Sequence, residues 1–107
     1  MQVESRSRDE FILDSSALLT ALANANRLRI MDILTDEEIS VGALAEKIGL
    51  GQSALSQHLA LLRGAGLVRT RRDGLSVYYR STSEPVRKIL EMLLDVADTV
   101  PRGSHAA

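Results

Sequence analysis

The sequence contains no cysteine and no tryptophan. Without cysteine there is no disulfide scaffold, thiolate metal site, redox-switch thiol or cysteine nucleophile. Aromatic side chains are limited to Phe11, Tyr78 and Tyr79. That scarcity counts against modules that hold single strands by stacking bases on several exposed rings. Long apolar runs are missing too, the longest being the four residues Leu59 to Leu62. Neither a membrane span nor a secretory signal core is expected, and the default compartment is the cytosol. No repeat at the period of a solenoid and no low-complexity tract is present.

What remains is the profile of one soluble globular domain. The chain has 107 residues, of which 45% are hydrophobic and 25% charged. A chain of this size can bury roughly 60–65% of its unfolded surface, enough for one modest core. The net charge of −1 hides an asymmetry. Residues 1–51 carry five basic and nine acidic side chains, whereas residues 52–80 carry Arg63, Arg69, Arg71, Arg72 and Arg80 against Asp73 alone. A basic block in an otherwise acidic chain suits a local polyanion footprint, although a solvated Arg-rich strand would look the same.

The hydrophobic period divides the chain into a mainly α fold with a β-hairpin, as one domain over residues 10–100. Residues 1–9 and 101–107 are expected as flexible tails. The second of these resembles a protease-site linker and is set aside from the fold. Helices are expected over about 10–23, with Phe11, Leu18, Leu19 and Leu22 to one side, and about 26–34, where apolar residues surround most of the circumference. A third follows over 41–48, with Ser40 as N-cap and Gly49 as C-terminal stop. A fourth spans about 52–63. The period then changes from 3.6 to 2. Asp73-Gly74 between two alternating segments predicts a two-residue hairpin loop that pairs Thr70 with Val77 and Val68 with Tyr79 on one face. The other face would pair Arg71 with Ser76 and Arg69 with Tyr78.

A fifth helix is expected over about 84–100, with Pro85 in its first turn. Its apolar side chains span an arc of about 200° at 100° per residue. A surface helix needs about 100° to meet its own core. The surplus suggests a second buried contact, most simply a homodimer interface shared with the first helix, formed by Leu18, Leu22, Ile89, Leu90, Leu93, Leu94 and Ala97. The other reading is a helix buried within one protomer.

Two short helices joined by Gly49-Leu50-Gly51 and followed by a basic hairpin give the order of a winged helix-turn-helix. A helical wheel places Gln52, Ser53, Ser56, Gln57, Ala60 and Arg63 on one half of the fourth helix. Ala54, Leu55, His58, Leu59, Leu61 and Leu62 fall on the other. The outer half carries amides and small hydroxyls and no acid to repel phosphate. Glutamine can bond the N6/N7 edge of adenine bidentately, and serine several bases or a phosphate. An ordinary amphipathic helix would show the same pattern by itself, so the turn before it and the hairpin after it carry the reading of double-stranded DNA as partner. Arg69, Arg71 and Arg72 suit backbone or minor-groove contact from the hairpin tip, with Arg80 further away. His58 falls inside the apolar arc and reads as a partly buried structural histidine. Arg27 is expected to pair with a nearby acid, and Asp36-Glu37-Glu38 to solvate a loop.

At these residues a family resemblance appears. Residues 21–34, Ser40-Val-Gly-Ala-Leu-Ala-Glu-Lys-Ile-Gly-Leu50, Gln52-Ser-Ala-Leu-Ser-Gln-His-Leu59, Gly66-Leu-Val and Arg71-Arg-Asp-Gly-Leu-Ser-Val-Tyr-Tyr79 resemble the ArsR/SmtB winged-helix repressors. The resemblance spans about residues 14–98. It implies a homodimer, paired through its terminal helices, that binds an imperfect inverted repeat and represses transcription. The positions matched for DNA reading are Gln52, Ser53, Ser56 and Gln57. The departures narrow the expectation. Ser40 and Gly42 stand where many members carry a Cys-x-Cys metal pair, and the last helix has Asp95 and Asp98 but no histidine. Metal and thiol inducers, and any cofactor, are therefore not expected, and no other inducer is identified. Ala25 replaces a frequent proline, and Gly51 a frequent serine N-cap. The cysteine-free pattern is most similar to the nodulation-repressor branch.

Rival readings are a winged-helix module that binds an acidic protein, and a sensor built from oxygen and nitrogen ligands. No nucleophile, base and orienting group occur together in any motif, so an enzyme is not expected.

Overall fold

The computed structural model describes residues 6–99. Helix α1 spans Arg8–Leu22, α2 Ala25–Leu34, α3 Val41–Ile48, α4 Gln52–Gly64 and α5 Glu84–Val96, the last followed by a 3-10 turn over Ala97–Thr99. Strands are β1 Ile39–Ser40, β2 Arg69–Asp73 and β3 Ser76–Arg80. They form one antiparallel sheet in the order β1-β3-β2. The hairpin thus gains a third strand, so short that no alternation could announce it.

Local chemistry accounts for most helix starts. Ser7 and Glu10 form a reciprocal capping box, each side chain bonding the other's backbone N–H. This starts α1 inside the segment expected to be a tail, while residues 1–5 and 101–107 of the two expected tails lie outside the described residues. Asn24 caps α2 through the Arg27 N–H, so Ala25 becomes its first residue. Ser40 and Ser83 cap α3 and α5 in the same way. Gly49 closes α3 at φ 81°, a left-handed conformation that only glycine adopts without strain.

Those helices enclose one core. Ile30, Met31 and Leu34 of α2 meet Leu44 of α3, Leu55, Leu59 and Leu62 of α4 and Val86 of α5. Ala21, Leu22, Ala45, Leu67 and Val68 complete it. Ser81 is the buried polar residue that ties the hairpin's exit to this core. Its N–H donates to the Leu34 carbonyl, its hydroxyl donates to the Leu67 carbonyl at 2.7 Å, and its Oγ accepts the Ser83 N–H. The buried N–H and hydroxyl of Ser81 thereby both find partners.

The hairpin register differs from the expected one. Asp73 pairs with Ser76, Arg72 with Val77, Arg71 with Tyr78, Thr70 with Tyr79 and Arg69 with Arg80. The loop is therefore Gly74-Leu75, one residue later than expected. An Asp-Gly loop of type I′ needs positive φ at both positions, but here only Gly74 has it, at 64°. Glycine first in the loop is the type II′ requirement. Every partner moves by two residues, so no side chain changes face. Thr70, Val77 and Tyr79 still turn toward the helices, half-buried. Arg69 and Arg71 still share the other face, now with Tyr78 and Arg80.

Candidate nucleic-acid interface

Helix α4 buries a narrow stripe. Leu55, Leu59 and Leu62, spaced four and three residues apart, are closed off completely. Gln52, Ser53, Ser56, Gln57, Ala60 and Arg63 are all exposed. The inner half is narrower than the wheel suggested, because Ala54 and Leu61 also reach solvent. Gly51 stands at the N-cap and offers no side-chain bond. The first N–H groups of α4 are left with no side-chain cap, beside Gln52 and Ser53.

His58 is half-buried on the flank of α4. Its Nδ1 lies 3.4 Å from Nη1 of Arg27 on α2. Arginine only donates, so the contact is a hydrogen bond only in the tautomer that leaves Nδ1 unprotonated. Arg27 also donates to the carbonyls of Ala21, at 2.6 Å, and Thr20, at 3.2 Å. Among the described residues it meets no acid, contrary to the expectation from its sequence position. It satisfies carbonyls at the C-terminal end of α1, where a cation is favoured. The end of α1, the start of α2 and the back of α4 are joined through this one side chain.

The wing arginines fall into two groups. Arg69 and Arg72 are exposed and enter no ion pair among the described residues. Arg71 is engaged. Its Nε donates to both carboxylate oxygens of Glu38, at 3.2 and 3.1 Å, and its Nη2 to Oε1 at 2.9 Å. Its guanidinium also lies over the Tyr78 ring, 4.7 Å from the centroid, with Asp73 at 3.8 Å. The bond from Arg71 holds the Glu38 carboxyl below its ordinary range, and the same bond raises Arg71. Arg69 does not sit at the wing tip, because the register sets it opposite Arg80 at the hairpin's base. The acidic loop is paired rather than merely solvated: Glu37 meets Lys47 at 2.9 Å, and Asp36 approaches Arg87 at 4.0 Å.

A second exposed region is apolar. On α5 only Val86 is fully closed off, Ile89 and Leu90 are half-buried, and Ala97 is exposed beyond its end. Met92, Leu93, Leu94 and Val96 stand out, Leu94 at 77% exposure. Phe11, Ile12, Leu13 and Leu19 do the same on α1, with Leu18 half-buried. Leu22, expected at an interface, is only 4% exposed, because it packs into the protomer's own core. Phe11, Leu19, Met92 and Val96 belong to the apolar sides expected of the first and last helices but not to the expected interface set, and Ile12 and Leu13 carry no expectation from sequence. A stripe wider than one core requires was their available signal. Among the described residues, no group of three or more His, Cys, Asp or Glu is placed to hold a metal ion, and no helix is long and apolar enough to cross a membrane.

Helix, glycine turn, helix and hairpin in this order define a winged helix-turn-helix domain. Residues 22–71 match a helix-turn-helix domain family. The chain is 55% identical to the nodulation protein NolR of Rhizobium meliloti over 77% of its own length and 67% of the relative's. It is 50% identical to the transcriptional activator HlyU of Vibrio cholerae over 71% of this chain and 70% of that one. Among solved structures, it is similar to the homodimeric winged helix-turn-helix DNA-binding domain Mb0332 of Mycobacterium bovis, a possible ArsR-family regulator. That likeness has a TM-score of 0.77 and 32% identity, over 100% of this chain and 99% of that one. The chain belongs to the ArsR family of winged helix-turn-helix transcriptional regulators.

Proposed function

We propose that the protein is a homodimeric repressor that binds an imperfect inverted repeat in double-stranded DNA. Each protomer sets the N-terminal half of α4 in a major groove, where Gln52, Ser53, Ser56 and Gln57 meet base edges. Arg69 and Arg72 of the wing contact flanking phosphates, and Arg71 is the third cation of that group. The observation that carries this reading is the outer face of α4, which is fully exposed and carries amides and hydroxyls with no carboxylate. Exposed apolar residues on α1 and α5 support the homodimer. Leu93, Leu94 and Ala97 are its centre, with Leu18, Ile89 and Leu90 at its inner margin. Two protomers related by a two-fold axis present two α4 helices, which suits half-sites about one helical turn apart or a multiple of it. A DNA operator places the protein in the cytoplasm.

Selection of bound duplexes from a random pool, with and without chelator, tests the proposal. One inverted repeat enriched in both arms is the expected result. No enriched sequence in either arm overturns it, and enrichment only without chelator replaces it with a metal-dependent regulator. Binding to an inverted repeat that raises transcription from a reporter overturns the repressor sense alone.

A further inference from the structure

The Glu38–Arg71 pair spans the sheet. Its middle strand is β3, with β1 on one side and β2 on the other. Glu38 directly precedes β1, and carrying the β1–β3 register back one residue sets it level with Arg80. Arg71 lies on β2 opposite Tyr78. The ion pair therefore crosses above Tyr78, from one edge strand to the other, and the ring fills the space beneath the guanidinium. Beyond β1 the chain enters α3 directly at Val41, so the pair ties the wing to the helix-turn-helix.

The same carboxylate lies on the cationic face of the hairpin. Arg69, Arg71 and Arg80 share that face. A carboxylate accepting two parallel N–H bonds from arginine has the geometry with which a phosphate would engage the same side chain. The Arg71 fork is thus occupied before any nucleic acid arrives.

Resting on the DNA-binding reading above, we infer that Glu38 is a specificity-determining residue: it withholds Arg71 from indiscriminate phosphate contact and fixes the angle of the wing to α4. Binding to a random duplex depends on phosphate contacts alone, so it gains most when Arg71 is released. Binding to an operator also needs base contacts in a set geometry, so it gains less or loses. Neutralising Glu38 lowers the ratio of the two affinities.

The experiment compares the wild-type chain, Glu38→Gln, Glu38→Asp and Glu38→Gln/Arg71→Ala. Each is titrated with the selected duplex and with a random duplex of equal length across salt concentrations. For Glu38→Gln on random duplex, the slope of log K against log salt steepens by about 0.9, one additional phosphate. Lowering the salt fourfold then adds about three- to fourfold more affinity than in the wild type. Glu38→Asp keeps the wild-type slope, and the double variant returns to it because no arginine is left to release.

A second readout needs no DNA. The Arg71 Nε–H resonance of the free protein is slowed in exchange by the carboxylate and becomes fast in Glu38→Gln. Wild-type binding with an unchanged ratio and slope in Glu38→Gln overturns the role of Glu38 and leaves the DNA-binding reading intact. An Arg71 Nε–H that exchanges at the same rate in both proteins overturns it as well. Failure of the wild type to bind any duplex overturns both readings together.

Discussion

Helices α4 and α5 have 13 residues each and treat their apolar side chains in opposite ways. Helix α4 carries four leucines and closes off three of them. Helix α5 carries seven large apolar residues and closes off only Val86. The helix richer in apolar surface is the one that leaves it exposed. Position in the fold decides this: α4 packs against both α2 and α3 and has protein on its inner side, whereas α5 sets only one flank on the core. Exposed surface is informative by its chemistry. The outer face of α4 offers hydrogen-bonding groups that water satisfies equally well, so it suits a polar partner and not an apolar one. The outer face of α5 offers contiguous apolar area that water satisfies poorly, which marks a contact with another apolar surface.

Four changes would break or sharpen this contrast. Leu94→Glu places a charge twice in the proposed two-fold interface and is expected to yield monomers in sedimentation velocity. Loss of simultaneous engagement of two half-sites then lowers apparent operator affinity by about 10²–10⁴-fold. A dimer that persists would show that the exposed stripe of α5 has another partner. Leu59→Ala attacks the buried side of α4 and is expected to lower stability by about 2–5 kcal/mol, read from chemical denaturation. Gln52→Ala touches only the outer side. It should leave the melting temperature unchanged and cost about 1–3 kcal/mol of discrimination at one base position, read by competition among single-base variants. An equal loss on all sequences would move Gln52 from base reading to backbone contact.

The smallest effect concerns the wing. Glu38 faces Arg71 and Arg80, with Asp73 and Tyr78 around Arg71. Because Arg71 depresses the Glu38 pKa below its ordinary 4.5, the folded chain holds fewer protons there than the unfolded chain. The pair's contribution is complete above pH 4.5 and is lost as the pH falls through the depressed value. Melting curves of the wild type and Glu38→Gln should therefore differ by a small constant amount near neutrality and converge in acid. A gap that stays constant into strong acid would show that the pair adds nothing to stability.

The legible parts of the molecule were those fixed by neighbours in the chain. Helix α3 begins and ends where Ser40 and Gly49 predict, because a cap and a left-handed stop act within four residues. The start of α4 and its outer face follow from a period that a short helix cannot disguise. The two faces of the hairpin were also correct, although its register was not: both candidate loops sit inside the same Asp73-Gly74-Leu75 stretch, and a shift of two keeps each residue on its side. Less legible were the contacts between distant residues. Strand β1 consists of two residues that become a strand only by lying beside β3. Arg71 looked like a free cation until Glu38, 33 positions away, was brought against it. Arg27 found carbonyl oxygens in place of an acid.

The sequence by itself determined the order of the helices and the hairpin, the two ends of α3 and the polar face of α4, because each depends on side chains within a turn or two of one another. Only the tertiary structure decided which apolar residues of α1 and α5 the core would take. Leu22 was taken in and Leu94 was left out, although both are leucines on helices that expose other large apolar side chains. A core of this size has a fixed number of places, and which residues fill them depends on how the helices cross.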